Sequence, residues 1–125
     1  MSESFLILGG NGVFGVHTAN HLLSLGKRVI CVGRNPEKPS AFTLGVNNYP
    51  KYSYYQIHIV HEQDRLFELF DKEKPEVIIN FAALAYATSW KDSWKYYDTN
   101  VTALARMTEF LTGKDYLKKF IHIGS

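Results

Sequence analysis

The chain has 125 residues, 46% hydrophobic and 21% charged, with a formal net charge of +2. That length suits one domain, large enough to bury roughly two-thirds of its unfolded surface, and the scattered basic residues give no argument for a nucleic-acid or membrane-surface partner, so neither is expected. The single cysteine, Cys31, excludes an internal disulfide framework and fits a reducing, cytoplasmic setting; the four-residue apolar run Phe5–Leu8 beside acidic Glu3 predicts neither a signal peptide nor a membrane span.

Ser4–Leu8 is a short buried strand stopped by glycine. Val13–Leu25 follows as a helix, with Ala19, Leu22, Leu23 and Leu25 apolar and Gly26 ending it. Arg28–Val32 is a second, β-branched strand closed by Gly33. Asn35–Tyr52 holds three of the four prolines and reads as loop. Tyr54–Val60 is a third strand, and Gln63–Lys74 a helix with Leu66, Phe67, Leu69 and Phe70 near one face and Pro75 after it. Val77–Ala83 is a fourth strand, Ser93–Thr112 a long helix ended by Gly113, and Phe120–Ile123 a fifth strand. Continuous apolar strands alternating with helices predict an α/β fold whose parallel sheet is covered on both faces. Ligands then sit beyond the carboxyl ends of the strands, where this chain puts small and polar residues.

Gly9, Gly12 and Gly15 lie between the first strand and the first helix. One such glycine suits a tight turn, one the close approach of a pyrophosphate, and one the packing of helix on strand, while free N–H groups at the helix start meet the phosphate charge. The alternative is an ordinary glycine-rich turn; the position in strand–turn–helix context favours dinucleotide binding. Gly33-Arg34-Asn35 offers no carboxylate for a ribose 2′-hydroxyl. It offers Arg34, whose planar fork suits a 2′-phosphate, so NADP is favoured over NAD. Phe81, Ala82 and Ala83 end the fourth strand, and the small alanines would let a coenzyme pass close to the backbone; the alternative is an ordinary buried strand end. Read alone, Asn100 suits a solvated helix face and Ser125 a serine without a role. His17 and His21 share a helix face, but no carboxylate accompanies them, and no metal site is expected. Trp90, Trp94 and Met107 suit packing or a subunit contact.

Together, Gly9-x-x-Gly12-x-x-Gly15, Asn80-Phe81-Ala82-Ala83, Tyr96-Tyr97-Asp98-Thr99-Asn100-Val101 and Phe120-Ile121-His122-Ile123-Gly124-Ser125 resemble the extended short-chain dehydrogenase/reductase family. The likeness is to its NAD(P)-dependent nucleotide-sugar epimerases and dehydratases, and residues 80–101 look especially similar to the UDP-galactose 4-epimerase branch. The resemblance implies a Rossmann-type doubly wound sheet in three α/β/α layers, incomplete at the C-terminal side, with residues 1–125 as the N-terminal portion of the NAD(P)-binding domain. It implies that Gly9, Gly12, Val13, Phe14 and Gly15 hold the pyrophosphate and that Arg34 sits at the adenosine ribose. Phe81, Ala82 and Ala83 would line the cleft, Asn100 would stand near the nicotinamide half, and Ser125 would hydrogen-bond the reacting sugar oxygen as the catalytic serine. It further implies hydride transfer between a nucleotide sugar and the nicotinamide, giving isomerase, lyase or oxidoreductase outcomes, and a homodimer formed through the long helix. Three departures stand out. His58, followed by Ile59, replaces the family's aspartate after the third strand, at the adenine. Gly33 stands where NAD-preferring members have aspartate. No tyrosine has a lysine four residues later, so the family's Tyr-x-x-x-Lys pair and the sugar-binding part are expected beyond Ser125. Other readings are a non-catalytic NADP-binding sensor or scaffold and a hydroxysteroid- or flavonoid-type reductase.

Overall fold

An apolar run without polar alternation has no face to turn to water, and Phe5–Leu8 accordingly forms the middle of the sheet. The computed structural model describes residues 3–9, 12–81 and 93–123, with backbone alone over 93–100. In chain order the elements are β1 (Ser4–Leu8), α1 (Val13–Ser24), β2 (Arg28–Gly33), 3₁₀ turns at Ser40–Phe42 and Val46–Asn48, β3 (Tyr52–Gln56), α2 (Gln63–Glu73), β4 (Val77–Asn80), α3 (Ser93–Leu111) and β5 (Lys119–His122). All pairings are parallel, in the order β3-β2-β1-β4-β5. The expected α/β, Rossmann-like architecture is present, with five strands.

Alternate residues of the strands feed two cores. Leu6, Leu8, Ile30, Val32 and Ile78 meet Leu66, Leu69 and Phe70 of α2 and Met107 and Leu111 of α3. Ile7, Val29 and Cys31 meet Ala19 and Leu23 of α1 together with Val46. These are the two outer layers of a covered parallel sheet. Cys31 lies wholly inside β2, and burial pushes its thiol up to about 12. At the amino edge of the sheet, Arg28 donates to the Glu73 carboxylate at 2.6 Å and to the Glu73 carbonyl at 2.7 Å, tying the start of β2 to the end of α2.

The largest departure from the expected elements is at β3, which spans Tyr52–Gln56 rather than Tyr54–Val60. A strand needs a partner, and β2 runs out: Gly33 pairs with Gln56, and Ile57 N–H makes the last bond to the Gly33 carbonyl at 2.9 Å. The loop after β2 contains two 3₁₀ turns, joined through Leu44 and Gly45 in left-handed conformations. β5 begins one residue earlier than expected, at Lys119. β4 ends at Asn80, short of the predicted Ala83; Ala82 and Ala83 lie outside the described residues.

Candidate functional site

The carboxyl ends of β2, β1 and β4 lie side by side. Gly9 N–H donates to the Val32 carbonyl and Phe81 N–H to the Leu8 carbonyl, each at 2.8 Å. The residues that follow β1, β2 and β4 (Gly9, Arg34 and Phe81) therefore sit along one edge, at the point where the chain order reverses around β1. In open α/β sheets this is where ligands bind.

Gly9 has φ of +83°, a conformation that side chains strain to adopt. Its carbonyl accepts the Gly12 N–H at 3.1 Å, closing the turn. Gly12 caps α1 with φ −75° and ψ 166°, and no side chain caps the helix. A Cβ at Gly12 would come only to 3.4 Å of the Gly9 carbonyl oxygen, an ordinary contact. Among the described residues nothing else crowds that position, which leaves room for a group that approaches from outside. No acidic residue stands in the first turn of α1, so the electropositive helix start is left for an anion. Val13 and Phe14 are 72% and 76% exposed, large apolar groups beside an open cradle. Gly15 is buried, on the face of α1 that packs against the sheet. These features fit the pyrophosphate of a dinucleotide.

Arg34 follows β2 with its side chain exposed. The carbonyls around it are not free: Gln56 Nε2 donates to the Arg34 carbonyl at 3.3 Å, and the Tyr54 hydroxyl donates to the Asn35 carbonyl. Phe81 is partly buried against the α1-side core. The backbone of Asn100 lies in α3; Ser125 lies outside the described residues.

His58 caps the turn that leads from β3 to α2. Its Nδ1 accepts the backbone N–H groups of Val60 and His61, each at 3.2 Å, and turns the chain towards α2. Its own N–H donates to Glu62 Oε1 at 2.9 Å. That bond, followed by Arg65, holds the Glu62 carboxyl below its usual range. Desolvation, then the charges of His61 and Arg34, hold the His58 imidazole below its ordinary value of 6.5. Protonation would place a donor where two donors already point. The unfolded chain therefore takes up this proton before the folded one, and the stability present above pH 6.5 declines as pH falls below it. Thermal unfolding from pH 7.5 to 5 is expected to show a steeper loss for the native chain than for His58→Asn, whose amide oxygen accepts the same N–H groups without titrating. Parallel pH curves would count against this arrangement. Ile59 follows in the same turn, partly buried against the α2-side core.

At the carboxyl ends of β4 and β5, buried Asn80 places its Nδ2 3.1 Å from His122 Nδ1, with the two residues opposite each other in register. The sequence alone does not reveal this pair, nor the contacts of Tyr54 and Gln56, because each joins residues far apart in the chain. Only the register brings them together.

Residues 5–125 match the NAD dependent epimerase/dehydratase family. The chain belongs to this family. It is 32% identical over 109 residues to a UDP-glucose 4-epimerase of Lacticaseibacillus casei, covering 83% of this chain and 31% of that protein. It is 30% identical over 128 residues to a dTDP-D-glucose 4,6-dehydratase of Dictyostelium discoideum, covering 98% of this chain and 29% of that protein. Among solved structures, the UDP-glucose 4-epimerase of Brucella ovis in complex with NAD superposes with a TM-score of 0.67 at 27% identity, over 88% of this chain and 32% of that one. The chain thus spans about a third of the length of these family members. Among the described residues no helix is long and apolar enough to cross a membrane.

Proposed function

We propose that this chain is the N-terminal, coenzyme-binding portion of a nucleotide-sugar epimerase or dehydratase, acting in the cytoplasm with NADP in preference to NAD. The observation that carries the reading is Gly12: a glycine that no described residue crowds beyond ordinary contact, at a helix start with no acidic residue in its first turn, in a chain of this family. Gly9, Gly12, Val13, Phe14 and Gly15 hold the pyrophosphate. Arg34 takes a ribose 2′-phosphate, His58 and Ile59 border the adenine, and Phe81, Ala82, Ala83 and Asn100 line the path to the nicotinamide. When bound, the coenzyme supplies a reversible hydride acceptor. Ser125 hydrogen-bonds the sugar oxygen whose proton is removed. The sugar-binding part belongs to the full-length protein. Exposed Val101 and Ala105 on α3 support a homodimer through that helix.

Fluorescence titration with NADPH and NADH tests the coenzyme. The native chain is expected to bind NADPH more tightly. Arg34→Ala is expected to weaken NADPH about tenfold, the value of one charge-assisted hydrogen-bonded contact, and to leave NADH unchanged. Tighter NADH binding from the start, or equal weakening of both, overturns the preference for NADP, and binding of neither overturns the coenzyme site. Conversion of neither UDP-glucose nor dTDP-glucose by the full-length protein would count against the reaction class.

A further inference from the structure

We infer that Tyr54 and Gln56 of β3 set the coenzyme preference by clamping the turn that carries Arg34, an inference that rests on the coenzyme site proposed above. Parallel pairing sets Tyr54 opposite Cys31 and Gln56 opposite Gly33. Two residues apart on one strand, both lie on the face of the sheet that carries α1. The Tyr54 hydroxyl holds the Asn35 carbonyl, and Gln56 holds the Arg34 carbonyl. Both carbonyls of the turn are thereby fastened to β3, while the Arg34 side chain is left exposed. A guanidinium on a fixed backbone loses less freedom on meeting a phosphate than one on a loose loop, and binds it more tightly for that reason.

Tyr54 has a second effect. A Cβ at Gly33 would lie 2.5 Å from the Tyr54 hydroxyl oxygen and 3.4 Å from its ring carbon Cζ. A side chain at residue 33 would have to displace the Tyr54 hydroxyl, so a carboxylate that would grip a ribose 2′-hydroxyl is disfavoured there while Tyr54 is in place. The ring is in turn packed against the core of Ile7, Val29 and Cys31, which keeps it from swinging aside. Burial pushes its phenol up to about 12, so it remains a hydrogen-bond donor at neutral pH. Tyr54 and Gln56 are positioning residues, acting through Arg34 and through the space over Gly33.

The test uses Tyr54→Phe, which keeps the ring and removes the hydroxyl, and Gln56→Ala, at an exposed side chain. Two quantities are read on the 125-residue chain: the rate of tryptic cleavage after Arg34, and affinity for NADPH and NADH. Each substitution is expected to speed that cleavage roughly three- to tenfold and to weaken NADPH by a similar factor, the worth of one hydrogen bond, with NADH unchanged. Neither is expected to cost anything further in an Arg34→Ala background. A purely structural effect would instead move NADPH, NADH and the melting temperature together. Unchanged cleavage after Arg34, equal loss of both coenzymes, or losses that add to that of Arg34→Ala overturn this inference while the native preference for NADPH still stands. A native chain that prefers NADH, or binds neither coenzyme, overturns the coenzyme reading and this inference together.

Discussion

Gly12→Ala is expected to weaken coenzyme binding roughly thirty- to a hundredfold while leaving the chain folded. The backbone at residue 12 lies in a region open to any amino acid, and among the described residues the added methyl meets only the Gly9 carbonyl oxygen, at 3.4 Å. The stability change is that of exchanging glycine for alanine at a helix N-cap, about 1 kcal/mol or less. The methyl would, however, hold a phosphate away from the first N–H groups of α1. Losing charge-assisted bonds of that kind costs about 2–3 kcal/mol. Gly9→Ala makes the contrast. Its φ of +83° puts the penalty into the fold, about 1–2 kcal/mol, before any ligand is present. Coenzyme titration and thermal unfolding of both variants separate the two cases. Undiminished binding by Gly12→Ala would show that nothing approaches the turn there.

The second large effect concerns the other face of the sheet. Phe70→Ala is expected to cost about 3–5 kcal/mol, because its ring is fully buried and the surrounding groups cannot close the space. Phe70 lies 6.3 Å from the rings of both Phe67 and Phe110, which stack on each other at 4.4 Å, and it joins α2 and α3 to Leu6, Leu8, Ile30 and Val32. Domains of this kind are stable by only about 5–15 kcal/mol, so the variant would keep a small part of its margin and melt roughly 10–25 °C lower. Urea unfolding followed by circular dichroism checks this, with exposed Glu68→Ala as the comparison, expected within about 0.5 kcal/mol of the native chain. A loss below about 1 kcal/mol for Phe70→Ala would mean that α2 does not rest on the sheet as described.

The elements most legible in the sequence are those whose ends are set by the chain itself. β1 has the predicted bounds because Ser4–Leu8, buried apart from half-buried Phe5, meets a glycine with positive φ. α2 stops one residue before the predicted end because Lys74 takes a left-handed conformation that ends the helix. β3 was harder because its end is decided elsewhere. Tyr54 to Val60 alternates as a strand should, but β2 offers no partner past Gly33, and His58 bends what remains into a turn. The candidate site divides in the same way. The glycine turn and Arg34 are local and could be read directly. The hold of Tyr54 and Gln56 on the Arg34 turn depends on register between strands, and no local pattern contains it.

The all-parallel order has a consequence for how the chain reaches this state. Among the described residues no two neighbouring strands are joined by a hairpin, and each of their pairings must wait for a distant partner. Phe5 meets Val29 on one side but Val77 on the other, so the central strand, made before both partners, keeps an open edge until β4 has been made. Such non-local pairing is slow, and an unpaired apolar edge invites association with other chains while it lasts. The glycine turn that ends β1 is therefore made before either partner strand and gains its full surroundings only after both.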